Sequence, residues 1–107
     1  GVDSDQAKLL PSYADVILFS VIKRVDEAVY SAIENLQKGE FKGGSTVKLG
    51  VKEDGIGISE TLNEAVTDKA KDARTRAEEV VRSESLIIPD TLEKLLKFEA
   101  PSLKEKP

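Results

Sequence analysis

VILFSVIKRVDEAVYSAIENLQKGEFKGG, residues 16–44, passes from an unbroken apolar run into helical periodicity. The run at 16–19 is short enough for a strand buried on both faces, and a strand is expected over 15–19. Ser20 stands where an N-cap would, its hydroxyl able to accept from a first-turn N–H. Beyond it Val21, Val25, Ala28, Ala32 and Leu36 recur at helical spacing, widened by Ile22, Val29 and Ile33, which predicts a helix over 21–38. Gly39 supplies the stop, because glycine accepts the left-handed conformation that closes a helix.

Lys23 is awkward in this reading. It falls in the first helical turn, at the positive end of the dipole, where a cation is unfavourable. It either pairs with Asp26 or Glu27 at helical spacing or points over the strand end toward a ligand.

Outward from this unit, Gly1-Val2-Asp3 reads as the end of a strand, with a helical turn expected near 6–10 in the polar loop that follows. Alternation at Val47, Leu49 and Val51 predicts a strand over 46–51. Glu53-Asp54-Gly55 is turn chemistry, and 56–58 resumes an extended segment. Gly55 and Gly57 lack the third glycine and the Gly-Lys-Ser of a phosphate loop. Thr61-Leu62-Asn63-Glu64 fits a capping box opening a helix over 61–82 along an alanine-rich stripe. Leu86-Ile87-Ile88 is a short apolar run ended by Pro89, consistent with a strand or an extended crossing. Asp90 caps a last short helix over 91–98, and 99–107, with Lys104, Glu105 and Lys106, is expected to be flexible.

The 107 residues leave room for one small α/β domain, expected over 1–89, with the short helix and tail at 90–107. A net charge of −4 with interspersed signs argues against nucleic-acid binding, which needs a concentrated basic face. No cysteine and no histidine are present, which excludes disulfides, thiolate metal sites and the commonest general base. No metal, cofactor or catalytic residue is therefore expected. Asp3 and Asp5 could carry acid–base work, but no spacing supports it. Neither a signal peptide nor a lipidation motif occurs, and position 1 is not Met, so any export signal is expected outside this sequence.

In open parallel sheets, ligands bind beyond the carboxyl ends of the strands. Asp3 ends the first strand and Lys23 follows the second. If these strands are parallel neighbours, the aspartate can accept from, and the lysine donate to, neighbouring sugar hydroxyls. The alternative for Asp3 is an Asx turn over Ser4 and Asp5.

GVDSDQ, SVIKRVD, KGEFKGG and LGVKEDGIGI, in this order and spacing, resemble the BMP (basic membrane protein) family, the PnrA-related nucleoside-binding lipoproteins of ABC transporters. The resemblance is close over 1–58, loose to about Pro89 and absent beyond. It implies part of a type I periplasmic-binding lobe, a parallel sheet flanked by helices and truncated at its N-terminus. The ligand, a purine nucleoside, would lie between two lobes. The resemblance places the ribose-holding aspartate and lysine at Asp3 and Lys23, with Asp5 a second candidate because the loop between the motifs is free to vary in length. The base-stacking aromatics of the family would come from segments not in this sequence, and Phe19 and Tyr13 are not given that role. The partners implied are a nucleoside, an ABC permease and the missing N-terminal lobe, with no nucleic acid. The protein would be extracytoplasmic, lipid-anchored outside this sequence, and not an enzyme. A ligand-sensing regulatory protein on the same fold is the alternative.

Overall fold

Hydrophobic side chains are scarce in the interior. In the computed structural model, which describes residues 1–101, Ala7 is the one buried hydrophobic side chain among the described residues, beside the buried Ser20 and Ser59. The expected flexible tail at Lys104, Glu105 and Lys106 lies outside the described residues. The chain divides into two compact units, Gly1–Val66 and the segment from Thr67 onward.

The first unit holds a three-stranded mixed sheet in the order β1-β2-β3, from Val2–Asp3, Val21–Lys23 and Ile56–Ile58. β1 and β2 run parallel, with Val2 opposite Val21 and Asp3 opposite Ile22. β3 runs antiparallel to β2, with Ile22 opposite Gly57 and Lys23 opposite Ile56. The parallel pairing meets the condition set for Asp3 and Lys23, and 56–58 is extended as expected, but the antiparallel β3 makes the sheet mixed and corrects the expected parallel sheet.

The second strand is not where the apolar run placed it. Residues 16–19 form no strand: Pro11–Val16 is a 3-10 helix, with proline at its start, where its missing N–H costs nothing. Val16, Leu18 and Phe19 are exposed. The strand lies one step on, at Val21–Lys23, where consecutive β-branched residues favour extended backbone. The first long helix is therefore α2, Val25–Gln37, rather than 21–38, with Arg24 at its N-cap position. Its stop is as expected, with Gly39 at φ 74°.

Ser20 is a buried tie and not a cap. Its Oγ accepts from Gln6 N at 3.0 Å, at the head of the short helix α1, Gln6–Leu9. Its own N–H donates to Ser59 Oγ at 2.9 Å, and Ser59 Oγ donates to Thr61 O at 3.0 Å. Two serines thus join the start of α1, the head of β2 and the exit of β3 without a buried charge.

Residues 46–51 form no strand, since nothing pairs with their alternation. The chain instead closes a turn, with Gly55 N donating to Gly50 O at 2.9 Å. Gly55 is buried so tightly that a Cβ there would lie 2.7 Å from Leu49 O. Thr61-Leu62-Asn63-Glu64 opens no helix either. Asn63 Oδ1 accepts from Ala65 N, and its Nδ2 donates to Asp15 O, both at 2.9 Å. The asparagine spends its side chain pinning the 14–18 segment.

In the second unit, α3 spans Asp68–Arg82, and Thr67 is its cap, with Oγ1 accepting from Ala70 N at 3.2 Å. Its end matches the expected one. Leu86-Ile87-Ile88 is irregular. The last helix, α4, is Leu92–Leu96, capped by Thr91 and not by Asp90, which pairs with Lys94 at 2.7 Å. Thr67→Ala should cost about 0.5–2 kcal/mol of helix stability. Lost ellipticity at 222 nm on mild heating checks this. An unchanged melting curve would dismiss the cap.

Acid should loosen α3. Asp68 titrates below the usual range because Lys71 hydrogen-bonds it at 2.9 Å. Glu78 does so mainly through Arg82 at 3.1 Å, with Arg74 at 3.2 Å assisting, against partial desolvation. Both are depressed carboxylates, so their contribution is present above the ordinary carboxylate pKa and lost as pH falls through the lowered value. Glu78→Gln should flatten this acid limb in a circular-dichroism pH titration.

Candidate functional site

Parallel pairing brings the carboxyl ends of β1 and β2 side by side, and with them Asp3 and Lys23. Lys23 Nζ lies 2.8 Å from Asp3 Oδ1, both side chains well exposed. This corrects the reading of Lys23 as a first-turn residue. It is the last residue of β2, outside the helix, so the dipole penalty does not apply. It pairs across the strands with Asp3 and not along the helix with Asp26 or Glu27.

Hydrogen bonding to Asp3, followed by its charge, holds the lysine above its ordinary pKa. A raised lysine pKa means that the pairing is fully present below the unfolded value and lost as pH rises through the folded one. Asp3 has φ 72°, the left-handed region that aspartate tolerates better than most side chains. Ser4 N donates back to Val2 O at 3.0 Å, so the chain turns sharply just where the carboxylate is presented.

Asp5 sits at the N-cap position of α1 but makes no side-chain cap. Its side chain is only 15% exposed, with Oδ2 3.7 Å from Lys8 Nζ and Oδ1 buried without a donor among the described residues. The Thr61 hydroxyl, chiefly, lowers its pKa, Lys8 adding to this against the opposing effect of burial.

These three residues line one open cavity of about 390 Å³, together with Lys8, Arg24, Asp26 and Glu60. Of these four, the sequence reading had named Asp26 only as a partner for Lys23, and had not singled out Lys8, Arg24 or Glu60. Arg24 carried a signal, standing directly after Lys23, and its guanidinium lies across Gly57, where a Cβ would approach Nη2 to 3.2 Å. Glu60 and Lys8 carried none, because their approach depends on β3 and α1 folding onto the strand ends. The wall mixes four carboxylates with three cations, a surface of paired donors and acceptors suited to polar, hydroxyl-bearing molecules. Among the described residues no cluster of side chains could hold a metal ion.

A three-stranded mixed sheet with an open, charged cavity at its strand ends is the frame these residues build. The model of the Bmp family, described as ABC transporter substrate-binding protein PnrA-like, matches residues 1–91, and the chain belongs to this family. The family is non-enzymatic and implies a periplasmic-binding-protein fold. The chain is similar to basic membrane protein D of Borreliella burgdorferi, 43% identical over 65 residues, which is 60% of this chain and 18% of that protein. It is also similar to uncharacterized lipoproteins of Pyrococcus furiosus, 46% identical over 57 residues, and Pyrococcus abyssi, 44% over 57, in each case 53% of this chain and 13% of the relative. The match thus spans less than a fifth of these relatives' length. Among the described residues no helix is long and apolar enough to cross a membrane.

Proposed function

We propose that this chain supplies one wall of the nucleoside cleft in the extracytoplasmic, lipid-anchored binding protein of an ABC importer, on a type I periplasmic-binding lobe. The observation that carries this reading is the Asp3–Lys23 pair, 2.8 Å apart at the ends of parallel strands and open to a cavity. An acceptor and a donor at that spacing suit the vicinal hydroxyls of a ribose, with Asp5 as a second acceptor behind them. The charged and hydroxyl side chains of the cavity wall stand beside Ile22 and Ile58, which give a ligand apolar surface as well.

The test is an amide and side-chain NMR titration of the chain with adenosine and inosine, using adenine and hypoxanthine as controls. Resonances of Asp3, Lys23 and their neighbours in the cavity should shift with the nucleosides and not with the free bases. Equal shifts with the bases, or none at saturating nucleoside, would overturn the proposal.

A further inference from the structure

Asp54-Gly55 is the one Asp-Gly pair in the sequence, and every other aspartate, like both asparagines, precedes a residue that carries a side chain. A glycine nitrogen is the least hindered main-chain nucleophile for the carboxyl carbon before it, because no Cβ screens it. Asp54 is exposed and Gly55 is buried. The glycine is held from both sides. Its N–H donates to Gly50 O at 2.9 Å, and its carbonyl accepts at 2.9 Å from the N–H of Arg24, the residue after β2. Gly50 N in turn donates to Glu53 Oε2 at 2.8 Å, which draws the exposed turn together. There is no slack at this point, since a Cβ on Gly55 would lie 2.7 Å from Leu49 O.

We infer that Asp54 is a modification site, where the chain isomerises to isoaspartate, and that the Gly50–Gly55 hydrogen bond shields it. The Gly55 nitrogen attacks Asp54 Cγ, the N–Cγ bond forms, and the carboxyl hydroxyl leaves with the amide proton as water. Water then opens the resulting succinimide. Addition at Cγ restores aspartate, whereas addition at the main-chain carbonyl leaves the backbone running through the Asp54 side chain, with a carboxylate on Cα. Water is the sole co-reactant. In the fold the nitrogen cannot turn toward Cγ while its N–H is engaged by Gly50 O, so the turn has to open first. The product cannot close as the parent does. It carries one extra backbone carbon directly before Gly55 N, about 1.5 Å of added chain. That insertion falls between the bonds to Gly50 and Arg24. β3 starts at the next residue, with Ile56 opposite Lys23, and leads to Ile58, Ser59 and Glu60 in the cavity wall. Isomerisation therefore unhinges the wall that β3 supplies while leaving Asp3 and Lys23 chemically intact.

The test incubates the whole chain in mildly alkaline buffer, folded and in urea, and maps its tryptic peptides by mass spectrometry with electron-transfer fragmentation, which separates isoaspartate from aspartate. Isoaspartate should collect at Asp54 ahead of every other aspartate, after a transient loss of one water. It should form about tenfold or more slowly in the folded chain than in urea. Glu53→Ala, which releases Gly50 N at the exposed turn, should bring the folded rate toward the urea rate. Asp54→Glu, whose ring would be one atom larger, should stay unmodified. In the separated isoaspartyl chain, amide exchange should quicken at Gly55 and Arg24 and stay as in the parent along α3. Isoaspartate spread evenly over the aspartates, equal rates with and without urea, an unmoved folded rate in Glu53→Ala, or parental exchange at Gly55 and Arg24 in the product would each overturn the inference. Because no nucleoside is used, these outcomes are separate from the titration that tests the cleft.

Discussion

Lys23→Ala is expected to weaken nucleoside binding roughly ten- to hundredfold, the loss that follows from removing a hydrogen bond to a charged group. Titration calorimetry on the chain in its complete binding protein reads this directly. Stability should stay within experimental noise, because an ion pair between two well-exposed side chains contributes little. The separation of the two readouts is the useful part. Had Lys23 stood in the first helical turn, its removal would have relieved the dipole and raised stability. As the last residue of β2, it gives no such gain. Lys23→Arg should rescue only in part, since a planar fork cannot reproduce a compact ammonium at a sugar hydroxyl. If Lys23→Ala binds as tightly as the parent, the pair with Asp3 is a plain surface ion pair.

Ser59→Ala should produce the largest loss of stability in the first unit, about 1–3 kcal/mol. The hydroxyl is the acceptor for Ser20 N at 2.9 Å and the donor to Thr61 O at 3.0 Å. Ser59 and Ser20 are buried at 4% and 0% exposure, so no water replaces the missing partner. The orphaned Ser20 N–H then carries its full desolvation cost. For a domain of this size each kcal/mol lowers Tm by about 4–8 °C. Ser45→Ala is the control, because the Ser45 hydroxyl donates to Lys42 O at an exposed turn, and its removal should change stability by less than about 0.5 kcal/mol. A Ser59→Ala melt indistinguishable from the control would show that the two-serine tie is not stabilising.

The sequence disclosed the α/β class and the nearness of Asp3 to Lys23 better than it disclosed the boundaries. Asp3 and Lys23 could be paired in advance because strand ends in a parallel sheet converge, whatever the exact register. The 16–19 run misled because a short apolar stretch carries no period, and the exposure of Val16 and Leu18 depends on Pro11 starting a 3-10 helix upstream. Val21 misled for the opposite reason. It stands one helical turn before Val25 and so extends the period of α2 backward into what is a strand. Thr61 misled because Asn63 of its capping box is engaged instead by Asp15, 48 positions away, and the cap falls to Thr67, which the sequence reading did not single out. Of the cavity wall, Lys8 and Glu60 were illegible because their positions are tertiary consequences.

β2 is the middle strand, and the two pairings it makes differ in when they become possible during synthesis. Val21 can meet Val2 once the first two strands are out, but Ile58, its other partner, is made about 37 residues later. At about 5–20 residues per second, the emerging chain carries β2 with one edge open for roughly two to seven seconds. An open edge of that duration is a template for pairing with a neighbouring chain. The later arrival of β3, seated by the Ser59 tie, closes that window.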